Sequence, residues 1–185
     1  NYDFSNMYAY VSSGYVNKVL EGSGSSGEAG GSDGDKNTPD DFGDCGTITV
    51  PAELAGVIEY SAHVRDLGWM DTKQNGQMMG TTGKNLPMEA MKINIAGIAD
   101  LGIEYQVHAQ DIGWMDSVSN GEVGGTVGQA KKLEAIKLKL TGDAASNYDL
   151  YYRVHVTNIG WMDWAKNGEL AGTQGYNYAL QAIQI

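Results

Sequence analysis

The sequence predicts an all-β domain in which three internal repeats are arranged around a pseudo-threefold axis. Two observations support this prediction: a motif that recurs three times, and apolar residues that alternate with polar ones along each repeat. A closed arrangement leaves few sheet edges exposed. The repeat length of about 45 residues favours a β-trefoil-like fold, with a β-prism as the alternative.

The repeated motif centres on a tryptophan, with a histidine before it and Asn-Gly and Gly-Thr-x-Gly after it. "LGWMD" at 67–71 returns as "IGWMD" at 112–116 and 159–163. The shared residues are His63, His108, His155, Trp69, Trp114, Trp161, Gly80, Gly125 and Gly172. Within a repeat domain at 47–185, the units extend over about 57–98, 102–141 and 149–185.

Each repeat has the pattern of β-strands. In "IEYQVHAQ" (103–110), apolar residues occupy every second position, and in "LEAIKLKL" (133–140), Ile136, Leu138 and Leu140 alternate with Lys137 and Lys139; both patterns are typical of strands with one buried face. The Asn-Gly pairs favour type I′ hairpin turns, because both central positions of that turn need a positive φ. We therefore expect three or four short strands in each unit.

The first 46 residues differ from the repeats. Residues 21–46 are rich in Gly and Ser and then acidic, which predicts a flexible linker. Residues 1–20 form a Tyr-rich segment, predicted to be a docked hairpin or helix, with Tyr8 and Tyr10 as candidate ligand contacts. Since the chain does not begin with Met, we expect a mature product or an excised piece of something longer, and we predict that it is part of a longer multidomain chain.

The composition argues against several classes of partner. The net charge of −11 opposes binding to nucleic acid, whose affinity depends on basic residues, and to an anionic membrane surface. No run approaches the roughly 18 apolar residues of a membrane span, so no membrane insertion is expected. Cys45 is the single cysteine and cannot form a disulfide within the chain.

The repeated tryptophans allow two interpretations. An exposed Trp can stack on a sugar or anchor a protein interface. A ring that recurs in register with glycines is more typical of a packing plug, so we expect the three rings in the core. Trp164 is different because only the third unit has it, with Thr72 and Ser117 at the corresponding positions. It is a candidate for ligand contact.

The repeated histidines and aspartates also have structural alternatives. His108 shares its strand face with Glu104 and Gln106, so we expect each His to point outward and to pin a local turn by a hydrogen bond. No metal site and no cofactor are predicted. The aspartates after each Trp suit turn caps, and they equally suit contacts to a ligand; they are Asp71, Asp116 and Asp163.

The units resemble the clostridial hydrophobic repeats with a central Trp, the ChW family. The second, "YQVHAQDIGWMDSVSNGEVGGTVGQAKKLEAIKLKL", and the third, "YYRVHVTNIGWMDWAKNGELAGTQGYNYALQAIQI", match along their length, whereas Pro87 interrupts the first. The resemblance covers about residues 57–185. It implies a secreted or cell-surface protein of a Gram-positive anaerobe of the Clostridia, with repeats that bind or assemble something outside the cell.

These observations together predict a non-catalytic extracellular binding module. A glycan, of the host or of the bacterial wall, is the leading ligand. The alternatives are an adhesin that binds a host protein such as immunoglobulin, and an assembly or spacer module of a surface complex. No enzymatic activity is expected, because the sequence has no "GxSxG" motif and Gln181 replaces the carboxylates of Glu89 and Glu134 in the third unit.

Overall fold

A computed structural model describes residues 57–185. The predicted segments 1–20 and 21–46, together with Tyr8, Tyr10 and Cys45, lie outside the described residues. The described part is all-β apart from a short 3₁₀ helix, Asp143–Asn147. Each unit holds two main strands and three strands of two residues each, which is more than the three or four strands that we predicted.

The strands follow the same order in every unit. The first unit contains β1 (Val57–Val64), β2 (Gly68–Trp69), β3 (Lys73–Gln74), β4 (Met79–Gly80) and β5 (Met88–Ala96). The second contains β6 (Gly102–Ala109), β7 (Gly113–Trp114), β8 (Val118–Ser119), β9 (Gly124–Gly125) and β10 (Leu133–Thr141). The third contains β11 (Tyr151–Val156), β12 (Gly160–Trp161), β13 (Ala165–Lys166), β14 (Ala171–Gly172) and β15 (Leu180–Gln184).

The two main strands of each unit pair antiparallel and supply the core. Along β6 the buried residues Tyr105, Val107 and Ala109 alternate with half-buried ones, which confirms the predicted period of two. Along β10, Ile136 and Leu138 are buried whereas Lys139 is exposed. The equivalent positions of the other units join these residues in one buried apolar cluster. The three units therefore share a core.

The units exchange short strands in a closed cycle. Three five-stranded sheets are present, and each is completed by a two-residue strand from another unit. β9 of the second unit pairs with β5 of the first, β14 of the third with β10 of the second, and β4 of the first with β15 of the third. Because the exchange returns to the first unit, each of the three main sheets has a covered edge.

Glycine makes this strand exchange possible. Gly125 has a φ of 109° and lies opposite Ala90 of the first unit. A Cβ at Gly125 would overlap the backbone carbonyl oxygen of Glu89. Gly80 and Gly172 also have positive φ values, of 100° and 111°, and each approaches a neighbouring backbone as closely. The repeated Gly-Thr motif is therefore a point of backbone contact between units.

A tyrosine and the Asn-Gly turn complete each junction. Both residues of Asn120-Gly121 have positive φ, and Glu122 N donates to Ser119 O at 2.9 Å, which confirms the predicted type I′ turn. Gly121 N also donates to Ile93 O of the first unit at 2.7 Å. The hydroxyl of buried Tyr105 accepts from Ile93 N at 3.1 Å and donates to Glu122 O. These bonds satisfy backbone groups that β9 does not reach.

Candidate functional site

The repeated motif begins on an exposed hairpin tip. In the first unit, Leu67 N donates to Val64 O at 3.1 Å, and the turn is closed by Asp66 and Gly68, which both have positive φ. This tight turn leaves Leu67 52% exposed. The equivalent aliphatic residues of the other units, Ile112 and Ile159, are 48% and 50% exposed. Every unit thus presents a large apolar side chain to solvent at the same place.

The prediction that the repeated tryptophans are packing plugs in the core is wrong. Trp69 is 38% exposed, and none of the three rings is in the buried core of the described residues. The cause is the pairing of β1 with β2, which sets Trp69 opposite His63. Cross-strand partners share a face of the sheet, so an outward His brings its Trp to the outer face as well.

Each tryptophan ring is fixed in place by two neighbouring side chains. The His ring stands perpendicular to the Trp ring, with centroids 5.7, 5.4 and 5.6 Å apart in the three units. A cation also lies over each ring. Lys92 Nζ is 4.7 Å from the Trp69 ring centroid, and Lys137 Nζ is 4.7 Å from that of Trp114. Such a contact contributes about 0.5–1 kcal/mol at an exposed site.

The third unit holds its tryptophan with a cation from the opposite strand. Arg153 lies directly across the ladder from Gln184, the residue that replaces Lys92 and Lys137. Its guanidinium carbon is 4.8 Å from the Trp161 ring centroid and 4.7 Å from that of Trp164. Arg153 Nε also donates to Gln184 Oε1 at 2.8 Å. Trp164, predicted as a ligand contact, is therefore a half-buried side chain held by Arg153.

The histidines point outward as predicted, but the predicted hydrogen bond to a turn is not their role. His63 Nδ1 lies 3.3 Å from Glu89 Oε2, and His108 Nδ1 lies 3.2 Å from Glu134 Oε2. Neither contact has hydrogen-bond geometry, so each Nδ1 is a buried atom without a hydrogen-bond partner among residues 57–185. The third unit places Gln181 where the others have Glu. No cluster of three His, Cys, Asp or Glu suitable for a metal ion occurs among these residues.

A β-bulge explains why a carboxylate is buried beside the histidine. The register of β1 with β5 shifts between His63 and Val64, so Glu89 has no direct partner in the ladder. The carboxylate is only 4% exposed, and it accepts a hydrogen bond from Arg65 Nε at 2.8 Å. Glu134 and Gln181 occupy the same bulge in the other units. All three side chains are buried at the bulge.

The aspartates of the motif are exposed, and the prediction of turn caps is wrong for them. Within residues 57–185, no hydrogen bond or ion pair joins Asp71, Asp116 or Asp163 to another residue. The turns are instead closed by backbone hydrogen bonds and positive-φ residues. Each carboxylate is therefore available as a hydrogen-bond acceptor two residues from a tryptophan.

Sequence reasoning missed the exposed aliphatic residues. They recur two residues before each Trp, at Leu67, Ile112 and Ile159, and nine residues after it, at Met78, Val123 and Leu170. A large apolar residue at a fixed offset in all three units was the signal that could have found them. We call each cluster of the "LGWMD" or "IGWMD" stretch a Trp face: 67–71, 112–116 and 159–163.

The third unit adds aromatic and charged groups that the other two lack. Tyr151 is 46% exposed, and Lys166 Nζ lies 5.6 Å from its ring centroid. Lys166 also pairs with Asp149 at 2.9 Å, and this hydrogen bond lowers the pKa of the Asp149 carboxyl. Tyr176 is largely exposed. The surface around the third Trp face thus carries more aromatic residues than the surface around the other two.

A comparison with protein families identifies the repeat. The model of the family described as Clostridial hydrophobic W matches three times, at residues 63–97, 108–142 and 155–185, which is more than half of the chain. No curated protein and no solved structure shows significant similarity to the chain. Among the described residues, no helix is long and apolar enough to cross a membrane.

Proposed function

The chain belongs to the Clostridial hydrophobic W family, and from this we propose that it is a non-catalytic binding module that recognises a glycan at its three Trp faces. The observation that carries the proposal is that every unit exposes an aliphatic residue and an Asp beside a Trp that lies outside the core, exposed in the first unit and half-buried in the other two. We further propose that the module is extracellular, as part of a longer surface or secreted protein whose glycan ligand belongs to the host or the bacterial wall.

The chemistry of a Trp face suits a sugar. An indole ring offers an apolar surface to the C–H groups of a pyranose, and an exposed carboxylate accepts hydrogen bonds from hydroxyl groups. Lys92 or Lys137, together with His63 or His108, fixes the ring before a ligand arrives. A fixed ring loses little conformational entropy on binding. Because each face lies on an open hairpin rather than in a cleft, we expect three weak sites.

The finer architecture that we propose is a β-prism-like arrangement of three sheets. The support is that each main strand pair forms its own sheet, and the units are joined by short exchanged strands. A β-trefoil, which the repeat length alone favoured, closes its long strands into one barrel. The main strands of different units are not paired with each other among residues 57–185.

A glycan array followed by isothermal titration calorimetry tests the proposed function. With the oligosaccharide that binds best on the array, we expect three sites per chain. Asp116→Ala removes one site and changes the free energy of unfolding by less than about 0.5 kcal/mol, because the side chain is exposed. Asp143→Ala, an exposed carboxylate outside the Trp faces, keeps all three sites. Wild-type-like binding by Asp116→Ala would exclude the Trp faces as glycan sites.

A host protein is the second candidate ligand, and the third unit favours it. Only there does a guanidinium contact two indole rings, those of Trp161 and Trp164. Arg and Trp are common hot-spot residues of protein interfaces. In this case one asymmetric surface dominates, and Trp164→Thr, which restores the residue type of the first unit, abolishes capture of a serum protein such as immunoglobulin. Asp116→Ala leaves that capture unchanged.

An assembly or spacer module remains the third proposal. It predicts that neither the array nor the serum screen yields a ligand, and that affinity capture with the purified module recovers proteins of the same bacterial surface. The three proposals thus differ in the partner class that each screen returns.

A further inference from the structure

A small polar cavity lies where the three units meet, and its lining residues are distinct from those of the Trp faces. Its volume is about 300 Å³. Residues of all three units line it, and the equivalent positions Pro87, Lys132 and Ala179 all contribute. A cavity lined by one position from every unit lies between them. The remaining lining is polar and includes Asn85, Thr157 and Asn177.

The cavity carries positive charge. Arg65 and Lys132 line it, and no carboxylate does. Arg65 is partly neutralised, because its Nε donates to buried Glu89 at 2.8 Å. Lys132 has no carboxylate partner among residues 57–185: its Nζ donates to the backbone carbonyl of Asn177 at 2.6 Å. Lys132 is therefore half-buried and forms no ion pair with residues 57–185. This is notable because the net charge of the chain is negative.

Among residues 57–185 this cationic arrangement occurs once, although the fold repeats three times. The positions equivalent to Lys132 hold Pro87 and Ala179, neither of which carries charge. Both cations also bridge units, since Arg65 Nη2 donates to Ala130 O at 2.8 Å and Lys132 contacts Asn177. Repetition of the fold does not account for these two residues. The cavity is a single asymmetric site.

We propose that this cavity binds one small carboxylate-bearing sugar. Hydrogen bonds between a charged donor and a carboxylate are about twice as strong as neutral ones. Around the two cations, the side-chain amides of Asn85 and Asn177 offer donors and acceptors for sugar hydroxyls, and the Thr157 hydroxyl, which donates to Ala179 O at 3.2 Å, can still accept. A volume of 300 Å³ is at the small end of ligand pockets, which suits a monosaccharide. None of the cavity residues belongs to a Trp face, although Asn158 adjoins Ile159, and the proposal does not depend on the Trp faces binding a glycan.

Titrations with glucuronate and glucose, monitored by backbone amide NMR, test the charge requirement. We expect glucuronate to shift amides of Lys132 and Asn177 with one site per chain, and glucose to shift them at least tenfold more weakly. Lys132→Met weakens glucuronate binding at least tenfold. The matched control is Lys131→Met, which removes the same charge from a residue that pairs with Asp111 outside the cavity and leaves binding unchanged.

Two acidic sugars then distinguish the source of the ligand. Preference for N-acetylneuraminate indicates a host glycan, and preference for N-acetylmuramate indicates the bacterial wall. The proposal is overturned if none of the three acids shifts the cavity amides, if glucose binds as well as glucuronate, or if Lys131→Met and Lys132→Met weaken binding equally. Wild-type-like amide spectra of both variants ensure that a loss of binding is not a loss of fold.

Discussion

The junctions between units and the Trp faces follow opposite rules. At the junctions, the three units use the same residue types: a Gly at the exchanged strand, a Tyr whose hydroxyl crosses to the neighbour, and an Asn-Gly turn. At the Trp faces, the tryptophan is constant but its cation is not. Two units use a Lys from one strand, and the third uses Arg153 from the opposite strand.

The difference shows where the fold restricts the side chain. A junction brings two backbones into contact, so only Gly, which has no Cβ, fits there. A buried backbone N–H of the neighbouring unit also needs an acceptor at one position, which the Tyr hydroxyl provides. On the Trp face the cation lies over a ring outside the core, so either of two residues that face each other across the two main strands can provide it. Identity at a junction therefore follows from contact between units, whereas the change of cation marks a part of the Trp face that is free to vary.

The largest effect is expected at the glycine of a junction. Gly125→Ala places a Cβ against the carbonyl oxygen of Glu89 at a φ of 109°, so strain and overlap together cost about 2–5 kcal/mol. Gly128→Ala is the matched control, because it has a positive φ but open space around it, and it costs about 1–2 kcal/mol. Urea unfolding measures both. Equal losses would show that the backbone contact is unimportant.

A smaller loss is expected when the junction tyrosine loses its hydroxyl. Tyr105→Phe leaves Ile93 N–H without its acceptor and Glu122 C=O without its donor, at a cost of about 1–3 kcal/mol. Tyr151→Phe, on the exposed surface of the third unit, changes stability by less than about 0.5 kcal/mol. If the two variants were equally stable, the hydroxyl bridge would contribute nothing.

The three buried tyrosines of the junctions, Tyr60, Tyr105 and Tyr152, predict how the free energy of unfolding depends on pH. Burial raises the pKa of Tyr60 to about 12, although a backbone hydrogen bond with Ile185 opposes the shift, and burial also raises the pKa values of Tyr105 and Tyr152. In the unfolded chain these phenols ionise near pH 10. The stability that these neutral, buried phenols contribute to the folded state is therefore fully present below about pH 10 and is lost as the pH rises towards 12. Phenolate absorbance that rises together with unfolding checks this, whereas full ionisation of the folded chain at pH 10 would contradict it.

Much of the junction could be predicted from the sequence. The period of two in "IEYQVHAQ" correctly placed Tyr105 and Val107 inside and His108 outside. The Asn-Gly turns were correct because few other residue pairs adopt two consecutive positive φ values. Their second role, the hydrogen bond from Gly121 to Ile93, could not be predicted, because it depends on which units are neighbours.

The Trp faces were harder to predict, since they depend on cross-strand register. Two-residue strands have no period from which to infer a face, so the outward position of Trp69 follows only from its pairing with His63. The change in the strand that supplies the cation likewise depends on register. Lys92 lies opposite Ser61 in the first unit, whereas in the third unit Arg153 lies opposite Gln184, so the cation is on the other strand of the pair. The burial of Glu89 depends on a β-bulge, and no Gly adjoins Glu89 to indicate that bulge in the sequence.

The most direct test of the Trp faces as surface binding sites is the variant Trp114→Ala, measured for stability and for glycan binding on the same preparation. The ring lies outside the core and contacts His108 and Lys137, so we expect a loss of about 1–2 kcal/mol in unfolding free energy. We also expect the number of glycan sites to fall from three to two. A loss of about 3–5 kcal/mol, as for a core aromatic, with all three sites retained would contradict the account.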